Sequence, residues 1–292
     1  MKKVLITGGG GFIGQELVKR LQRTDYEIFA PGSGELNIID QNSFAVCEGQ
    51  LFNHVIHLAA KTFVPDSWVN PSAFFDVNVG GTKNVLEYCR KQRCSLTYIS
   101  AYLYGVPEKL PIAENSILQP NNPYAQSKLM AESLCEFYAR EYGVTITVLR
   151  PFNIYGASQN DKFLIPSIIR QVLNEDVVKL KDLHPKRDYV YIKDLTKAIY
   201  LAMSKMTEEK EQYRVYNIGS GYSVSVAQIV DMIQGIMGTE KPVITEMAVR
   251  HNEINDVIAD ITQANRKLNW SPQYSLLDGL RETIHDYKGR CR

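Results

Sequence analysis

The stretch Val4-Leu5-Ile6-Thr7-Gly8-Gly9-Gly10-Gly11-Phe12-Ile13-Gly14 decides the fold of this chain. Its apolar start predicts a β-strand, and the glycines predict a tight turn into a helix. Gly8, Gly11 and Gly14 have the spacing of a dinucleotide-binding turn: the first allows the turn, the second lets a pyrophosphate approach, and the third lets the helix pack closely. The diphosphate would face the N-terminus of the helix, which favours an anion. Glycines also occur at ordinary strand–helix turns, so this interpretation depends on later residues.

A second pattern, Tyr124-Ala125-Gln126-Ser127-Lys128, opens a helical stretch that runs to about Tyr142. Tyr124 and Lys128 stand four residues apart and therefore share one helix face. A phenol with a pKa near ~10 is a weak acid or base at neutral pH unless a cation stabilises its phenolate, and Lys128 would supply that charge. Such pairs are also common on amphipathic surface helices. Together with the glycine turn, the pair predicts a catalytic site.

With these motifs the chain resembles the extended short-chain dehydrogenase/reductases that act on nucleotide-activated sugars. The TGxxGFIG fingerprint of that family matches residues 7–14, and its YxxxK motif matches residues 124–128. Its catalytic serine matches Ser100, which precedes a YG pair at 104–105. Three later family blocks match residues 150–156, 187–194 and 216–221. The resemblance covers nearly the whole chain.

Composition restricts the class of protein. The chain has 292 residues, 45% of them hydrophobic, which suits one large α/β unit or two joined lobes. Its 33 basic and 32 acidic side chains argue against a nucleic-acid partner. The five cysteines form no CxxC pair and no Cys/His spacing typical of zinc, so we expect reduced thiols and no metal. No stretch has the ~18 apolar residues of a membrane helix, and we expect a cytoplasmic protein with no membrane partner.

Apolar runs alternate with helical patterns through the first half, which predicts a Rossmann-type, doubly wound parallel sheet with right-handed crossovers. We expect strands at 4–7, 27–30, 54–58, 97–100 and 145–149, and helices at 12–21, 41–48, 73–90 and 124–142. After residue 156 we expect strands near 177–180 and 189–192 and helices at 166–173, 193–203, 225–237, 261–268 and 276–287. The resemblance implies that 1–160, with 188–218, form an NAD(P)-binding domain and that 161–187 and 219–292 form a smaller sugar-nucleotide-binding lobe.

The resemblance also implies which residues bind NADP(H) or NAD(H). They are Gly8, Gly11, Phe12, Ile13, Gly14, Ser33, Asn37, Ile38, Leu58, Ala59, Ala60, Lys61, Asn78, Tyr124, Lys128 and Pro151. The choice between the two dinucleotides stays open, because neither an acid nor a basic residue stands directly after Ala30, where NAD-specific proteins carry an acid. Residues 35–40 resemble the ELD/ELN segment beside the adenine in 4-ketoreductases, but they also suit a loop before a helix capped by Asp40.

The chemistry that the resemblance implies is hydride transfer between the nicotinamide and a sugar carbon, usually C4. Tyr124 would exchange the proton on the attached oxygen, Ser100 would hydrogen-bond that oxygen, and Lys128 would hold the nicotinamide ribose and lower the tyrosine pKa. Substrate-binding residues implied in the same way are Ser100, Tyr102, Asn153, Phe163, Arg187 and Arg250. The two arginines suit a sugar diphosphate, because guanidinium groups bind phosphates well.

Single residues distinguish between several reactions that the family catalyses. The related 4,6-dehydratases carry an acidic pair directly after the catalytic residue, and the fucose synthases carry a cysteine there, whereas this chain has Ala101 and Tyr102. Two reactions remain: reduction of a 4-keto-6-deoxy sugar nucleotide, which we favour, and 4-epimerisation of a UDP-hexose or UDP-N-acetylhexosamine with retained NAD⁺. A non-catalytic NAD(P)-sensing protein is a third class. The resemblance further implies a homodimer, formed through the helices that contain Ala73 and Tyr124.

Overall fold

The computed structural model describes residues 2–205, 211–246 and 254–290. Its first half alternates strands and helices along the chain. The elements are β1 (Lys2–Thr7), α1 (Phe12–Leu21), β2 (Tyr26–Phe29), a 3₁₀ helix (Gln41–Cys47), β3 (His54–His57), α2 (Val64–Val69), α3 (Pro71–Phe75), a π-helical turn (Asp76–Gly80), α4 (Gly81–Gln92), β4 (Ser95–Ile99), α5 (Pro123–Tyr142) and β5 (Ile146–Pro151).

The second half contains shorter strands between its helices. The elements are β6 (Asn153–Tyr155), α6 (Leu164–Asn174), β7 (Val178–Leu180), β8 (Lys186–Arg187), β9 (Tyr189–Tyr191), α7 (Ile192–Ser204), β10 (Tyr213–Ile218), β11 (Val224–Ser225), α8 (Val226–Met237), β12 (Val243–Thr245), α9 (Thr262–Leu268) and α10 (Leu276–Arg290).

The central sheet has six strands within the described residues, in the order β10-β5-β4-β3-β1-β2, and all of its pairs are parallel. Val4 of β1 pairs with Ile28 of β2 on one side and with His54 of β3 on the other. The chain therefore reverses its direction across the sheet between β1 and β3, where open α/β sheets bind ligands beyond the carboxyl ends of their strands. The predicted fold class, a doubly wound parallel sheet, is confirmed.

Both faces of the sheet are covered by helices. Leu5 of β1 belongs to the core that includes α4 and α5, whereas Val4 and Ile6 belong to the core that includes α1, α7 and α9. Since neighbouring residues of a strand point to opposite faces, β1 must be apolar at consecutive positions. This burial explains the continuous apolar run that opens the chain.

A further core joins α6, α8 and α10 in the second half of the chain. Helix α9 does not belong to it, because Ala264 and Leu268 pack with Trp270 in the core against the sheet. The indole N–H of Trp270 donates to the Asp194 carbonyl of α7 at 2.9 Å. A piece of the segment assigned to the smaller lobe thus packs on the larger one, and the division into two lobes stays a prediction.

Most predicted elements are present with shifted ends. Several were not foreseen: the short helix α2, the strands β6, β8, β10, β11 and β12, and a π-helical turn that interrupts the helix expected at 73–90. Such turns often lie at functional sites, and this one contains Asn78. Among the described residues, no helix is both long enough and apolar enough to cross a membrane.

Candidate active site

The glycine turn between β1 and α1 has the geometry that its sequence predicts. Gly8 has a φ of +73°, and a Cβ there would stand 2.7 Å from the Ala59 backbone nitrogen. A Cβ on Gly14 would overlap the Gly8 carbonyl oxygen, so the first turn of α1 can pack on the loop only as glycine. The side chains of Phe12 and Ile13 pack into two different cores. Neither side chain therefore covers the start of the helix, whose backbone N–H groups suit a pyrophosphate.

Gly11 differs from these two glycines, because a side chain there would need only a small shift of the loop. A Cβ on Gly11 would meet only the Gly8 carbonyl oxygen, at 3.3 Å, and a Cβ on Gly10 would meet nothing within 4 Å. A requirement for glycine at position 11 would therefore come from a ligand. This cradle fits a bound dinucleotide.

We expect Gly11→Ala to fold normally and to bind the dinucleotide at least about tenfold more weakly, because its methyl group would fill the space that the pyrophosphate needs. Gly10→Ala is the matched control and should bind as wild type. The measurement is titration of both variants with NADPH and with NADH by protein fluorescence. Equal dissociation constants for the two variants would contradict this placement of the diphosphate.

The loop after β2 contains an acid that the sequence analysis did not place there. The Glu35 carboxylate accepts a hydrogen bond from the Gly32 backbone N–H at 2.9 Å, so it folds back towards the strand end. Ser33 is exposed in the same turn. Asn37 caps the following turn by accepting from the Ile39 N–H at 3.2 Å. Ile38 is buried against Gly81 of α4, so its side chain lies in the core.

Asn78 fastens the loop after β3 to α5. Its side-chain oxygen accepts from the Lys61 N–H at 2.9 Å, and its amide nitrogen donates to the Lys61 carbonyl at 3.0 Å and to the Ser127 hydroxyl at 2.9 Å. Leu58, Ala59 and Ala60 lie in that loop and are partly buried. His57 is fully buried between Thr7 and Thr82, and burial lowers its pKa to about 3, so it is a neutral core residue.

Tyr124 and Lys128 lie in the first two turns of α5. Asn122 caps the helix by accepting from the Ala125 N–H at 2.9 Å, and Pro123 occupies its first position, as is common in helices. The Lys128 ammonium is buried, donates to the Ile99 carbonyl at 2.5 Å, and lies 4.3 Å from the centre of the Tyr98 ring. The start of α5 is thereby held at the carboxyl end of β4, directly beside Ser100.

Burial changes the proton affinity of both groups. Desolvation raises the pKa of the Tyr124 hydroxyl, the opposite of the lowering expected from Lys128, and keeps it protonated at neutral pH as a general acid requires. Desolvation lowers the pKa of Lys128 to about 7, although the nearby Cys135 and Glu132 act in the opposite direction. The Lys128 charge is therefore the group in this site that titrates near neutrality.

Ser100 lies at the end of β4 and is almost fully buried. Its hydroxyl donates to Glu132 Oε2 at 2.7 Å, and Glu132 is ion-paired with Arg150 of β5. Glu132 was not among the residues predicted from the sequence, and Arg150 had no predicted role. The signal was present in the sequence, because Tyr124, Lys128 and Glu132 are four residues apart in series and share one face of α5.

The residues expected to bind the sugar nucleotide lie in several loops. The Tyr102 hydroxyl donates to the Gly105 carbonyl at 2.6 Å, so it is engaged within its own loop. Asn153 is at the start of β6, where both its backbone and its amide N–H groups donate to the Asp188 carbonyl. The Arg187 guanidinium donates to the Ile254 carbonyl at 2.5 Å. Arg250 lies outside the described residues.

Phe163 is the remaining expected substrate residue. Its ring contacts Phe63 edge-on, with centroids 5.6 Å apart, and Lys162 lies 5.2 Å from the Phe63 ring. Pro151, expected to contact the cofactor, is buried at the end of β5. The described residues contain no group of three or more His, Cys, Asp or Glu side chains that could hold a metal ion. The roles of all these residues stay predictions.

Comparison with known proteins agrees with this geometry. The model of the NAD-dependent epimerase/dehydratase family matches residues 4–219. GDP-6-deoxy-D-mannose reductase of Pseudomonas aeruginosa is 29% identical over 100% of this chain and 99% of its own. The structure of RMD from the same organism with NADPH superimposes with a TM-score of 0.91 at 28% identity, covering 99% and 100% of the two chains. UDP-glucose 4-epimerase of Thermotoga maritima with UDP-glucose gives 0.89 at 29% identity, with the same coverage.

Proposed function

Because the chain belongs to the NAD-dependent epimerase/dehydratase family, we propose that it uses NADPH or NADH to reduce the C4 ketone of a 4-keto-6-deoxyhexose carried on a nucleoside diphosphate. The chain is an NAD(P)-dependent enzyme of the nucleotide-sugar reductase and epimerase class. Among its relatives, the full-length similarity to a GDP-6-deoxy-D-mannose reductase supports the reductive direction.

The observation that carries the proposal is the composition of the site around Ser100. Lys128 donates to the carbonyl of Ile99, the residue before the serine, Tyr124 is one turn earlier on α5, and the two positions after the serine are Ala101 and Tyr102. Elimination of water needs a further acid and base. The Tyr102 hydroxyl is hydrogen-bonded to the Gly105 carbonyl, and the carboxylate that contacts Ser100, that of Glu132, is ion-paired with Arg150. The site therefore suits transfer of one hydride and one proton, which is all that reduction of a ketone requires.

Each side chain of the site has its own proposed role in that reduction. When bound, the reduced dinucleotide supplies the hydride. The glycine turn, the Leu58–Lys61 loop and Lys128 would hold it, and Tyr124 would give its proton to the sugar oxygen. Ser100 would hydrogen-bond the same oxygen and stabilise the negative charge that develops on it. Asn153 and Arg187 are proposed to bind the diphosphate, together with Arg250.

Glu35 is proposed to set the preference between the two dinucleotides. Its carboxylate is fixed to the Gly32 N–H beside Ser33, where it would repel a 2′-phosphate. Glu35→Gln should therefore increase the ratio of kcat/KM for NADPH to that for NADH by about fivefold, the effect of removing one exposed charge. Steady-state kinetics with each dinucleotide measure the ratio, and Glu141→Gln, an exposed carboxylate on α5, is the control. An unchanged ratio would mean that Glu35 does not face the ribose.

The proposed reaction is tested by incubating the protein with a panel of 4-keto-6-deoxy sugar nucleotides on GDP, UDP, dTDP and CDP, plus NADPH or NADH. We expect stoichiometric loss of nicotinamide absorbance with at least one member. Epimerisation is the second candidate, favoured by the overall similarity to the UDP-glucose 4-epimerase of Thermotoga maritima. Interconversion of a UDP-hexose or UDP-N-acetylhexosamine pair with catalytic NAD⁺, and reduction of no keto sugar, would replace the reductase.

A homodimer through α5 and the helical stretch that contains Ala73, which the structure divides into α3, the π-helical turn and α4, is part of the proposal. The two segments pack against each other, and α5 exposes Met130, Phe137 and Tyr142, each by two-fifths or more of its surface. We expect light scattering to give twice the 33.1 kDa of one chain, and Phe137→Glu to give the monomer. Ile244→Glu changes a side chain on β12 that is 53% exposed, against 41% for Phe137, and should leave the dimer intact. A wild-type mass of one chain would exclude the dimer.

We also propose a cytoplasmic location. Cys47, Cys89, Cys94 and Cys135 are buried free thiols, the state that persists in a reducing compartment. Cell fractionation tests this location.

A further inference from the structure

The single proton of the Ser100 hydroxyl is directed at a carboxylate. Ser100 donates to Glu132 Oε2 at 2.7 Å, and both residues are at least 97% buried. An ionised carboxylate only accepts hydrogen bonds, so the proton of this pair belongs to the serine. A hydroxyl whose proton points at Glu132 cannot donate to a sugar ketone at the same time. Reduction therefore requires the hydroxyl to turn.

Arg150 allows the Ser100 hydroxyl to rotate without leaving a Glu132 oxygen that has no hydrogen-bond donor. Its Nε donates to Glu132 Oε1 at 3.0 Å and to Oε2 at 3.2 Å, and its Nη2 is also hydrogen-bonded to Oε1. Since Nε reaches both oxygens, Oε2 keeps a donor after the serine leaves it. A buried carboxylate that lost its last donor would be strongly destabilised.

Arg150 is itself held from other parts of the fold. Its Nη1 donates to the Tyr104 hydroxyl and to the Glu114 carbonyl, each at 2.9 Å. Tyr104 in turn donates to Asn217 of β10 at 2.6 Å. The guanidinium is thus fixed beside Glu132 and neutralises it. This matters for the reaction, because an unpaired carboxylate next to Ser100 would repel the negative charge that develops on the sugar oxygen.

We propose that Glu132 and Arg150 are positioning residues that make the Ser100 hydroxyl a two-position donor. The Ser100 O–H donates to Glu132 when the site is empty or contains the alcohol, whose own O–H can then donate to Ser100. The hydroxyl turns to the sugar oxygen when that oxygen is a ketone. No covalent bond changes at Ser100 in either position; only its hydrogen bond moves. The inference rests on the proposed function, because that function gives Ser100 its role.

If the ion pair between Glu132 and Arg150 only held α5 against β5, its loss would affect folding and not the reaction. A double-mutant cycle separates the two roles, using Ser100→Ala, Glu132→Gln and the double variant. If Glu132 acts through Ser100, removing it adds nothing once the hydroxyl is gone. If it acts only on structure, the two losses of kcat multiply.

The cycle is measured with a nucleotide sugar that the wild type turns over, at saturating cofactor. We expect Glu132→Gln to lower kcat by about 10- to 100-fold, with KM and the dinucleotide dissociation constant within about threefold of wild type. Ser100→Ala should lower kcat by about 10²- to 10³-fold, and the double variant should match it within about threefold. A kcat for Glu132→Gln within twofold of wild type, or losses that multiply, would overturn the inference.

The chain offers a chemically matched control on α10. Glu282 Oε2 also accepts from a hydroxyl, that of Tyr191 at 2.8 Å, and from a cation, Lys193 at 2.5 Å. Glu282→Gln therefore removes the same kind of carboxylate outside the site, and its kcat should equal that of wild type. An equal fall of kcat in both variants would mean that the effect is a general loss of packing.

Two further measurements keep the inference testable. If Glu132→Gln does not fold, the double variant Glu132→Gln/Arg150→Met replaces it in the cycle. This variant removes both charges of the ion pair, a change that buried pairs often tolerate. Thermal unfolding of the cycle needs no substrate. We expect Ser100→Ala to lower Tm less in the Glu132 variant than in wild type, and additive shifts would overturn the inference. If the Tm shifts are coupled but the wild type turns over no sugar nucleotide, the proposed function would be overturned and the inference about Ser100 and Glu132 would not.

Discussion

Tyr124→Phe is expected to lower kcat by about 10²- to 10⁴-fold, the usual contribution of a positioned general acid. The substitution removes the hydroxyl and keeps the ring. The edge-on contact of that ring with Phe74, at 6.4 Å between centroids, can therefore persist. Burial raises the pKa of the hydroxyl, so in the wild type it carries its proton at neutral pH and can give it to a ketone oxygen. Phenylalanine has no proton to give.

The measurement combines single-turnover kinetics with dinucleotide titration. NADPH and NADH should bind Tyr124→Phe as they bind wild type, because Lys128 and the glycine turn are unchanged. Tyr142→Phe removes a hydroxyl from the exposed end of the same helix and serves as the control. Turnover by Tyr124→Phe at a rate near that of wild type would exclude Tyr124 as the acid.

Lys128→Met is expected to weaken dinucleotide binding by about tenfold and to lower kcat by at least about tenfold, since a hydrogen bond to a charged group typically contributes this much. The ammonium donates to the Ile99 carbonyl and is proposed to hold the nicotinamide ribose and to stabilise charge on Tyr124. Methionine has a similar length without the charge, so both effects should disappear together. A loss confined to the KM of the sugar nucleotide would contradict this role.

The pH dependence gives a second test of Lys128. Desolvation lowers its pKa to about 7, so the charge is present below that pH and is lost as the pH rises through it. In the wild type, kcat/KM for the dinucleotide should therefore fall above about pH 7, because this parameter reports ionisations of the free enzyme. Lys128→Met should be slow at every pH and should lack this alkaline limb. The same limb in both proteins would assign it to another group.

Local sequence determined the framework of the fold. The strand β1, the glycine turn and the helix α1 follow from the order of apolar residues and glycines, and α1 begins and ends at the predicted residues. The same holds for α5, whose start is fixed by Asn122 and Pro123 and whose periodicity places Tyr124 and Lys128 on one face. These features depend on hydrogen bonds and contacts between residues close in the chain, so a short stretch is sufficient to specify them.

Features that depend on contacts between residues far apart in the sequence could not be predicted from local patterns. Trp270 and α9 pack on the sheet although they lie in the C-terminal segment, because the indole finds a buried partner in the Asp194 carbonyl of α7. The contact between the Glu35 carboxylate and the Gly32 N–H was not predicted either. Glu35 reaches Gly32 only because the turn folds back, and no spacing rule for strand ends covers that.

The sequence by itself therefore determined the dinucleotide-binding fold and the three residues Ser100, Tyr124 and Lys128 as a candidate site. Only the tertiary structure decided what surrounds Ser100. Glu132 lies 32 residues after the serine, and Arg150 follows Glu132 by another 18. The three side chains meet because parallel strands β4 and β5 pair while α5 packs across them. Inside that contact a carboxylate is stable only with a cation beside it, a requirement that arises from burial and that no local pattern encodes.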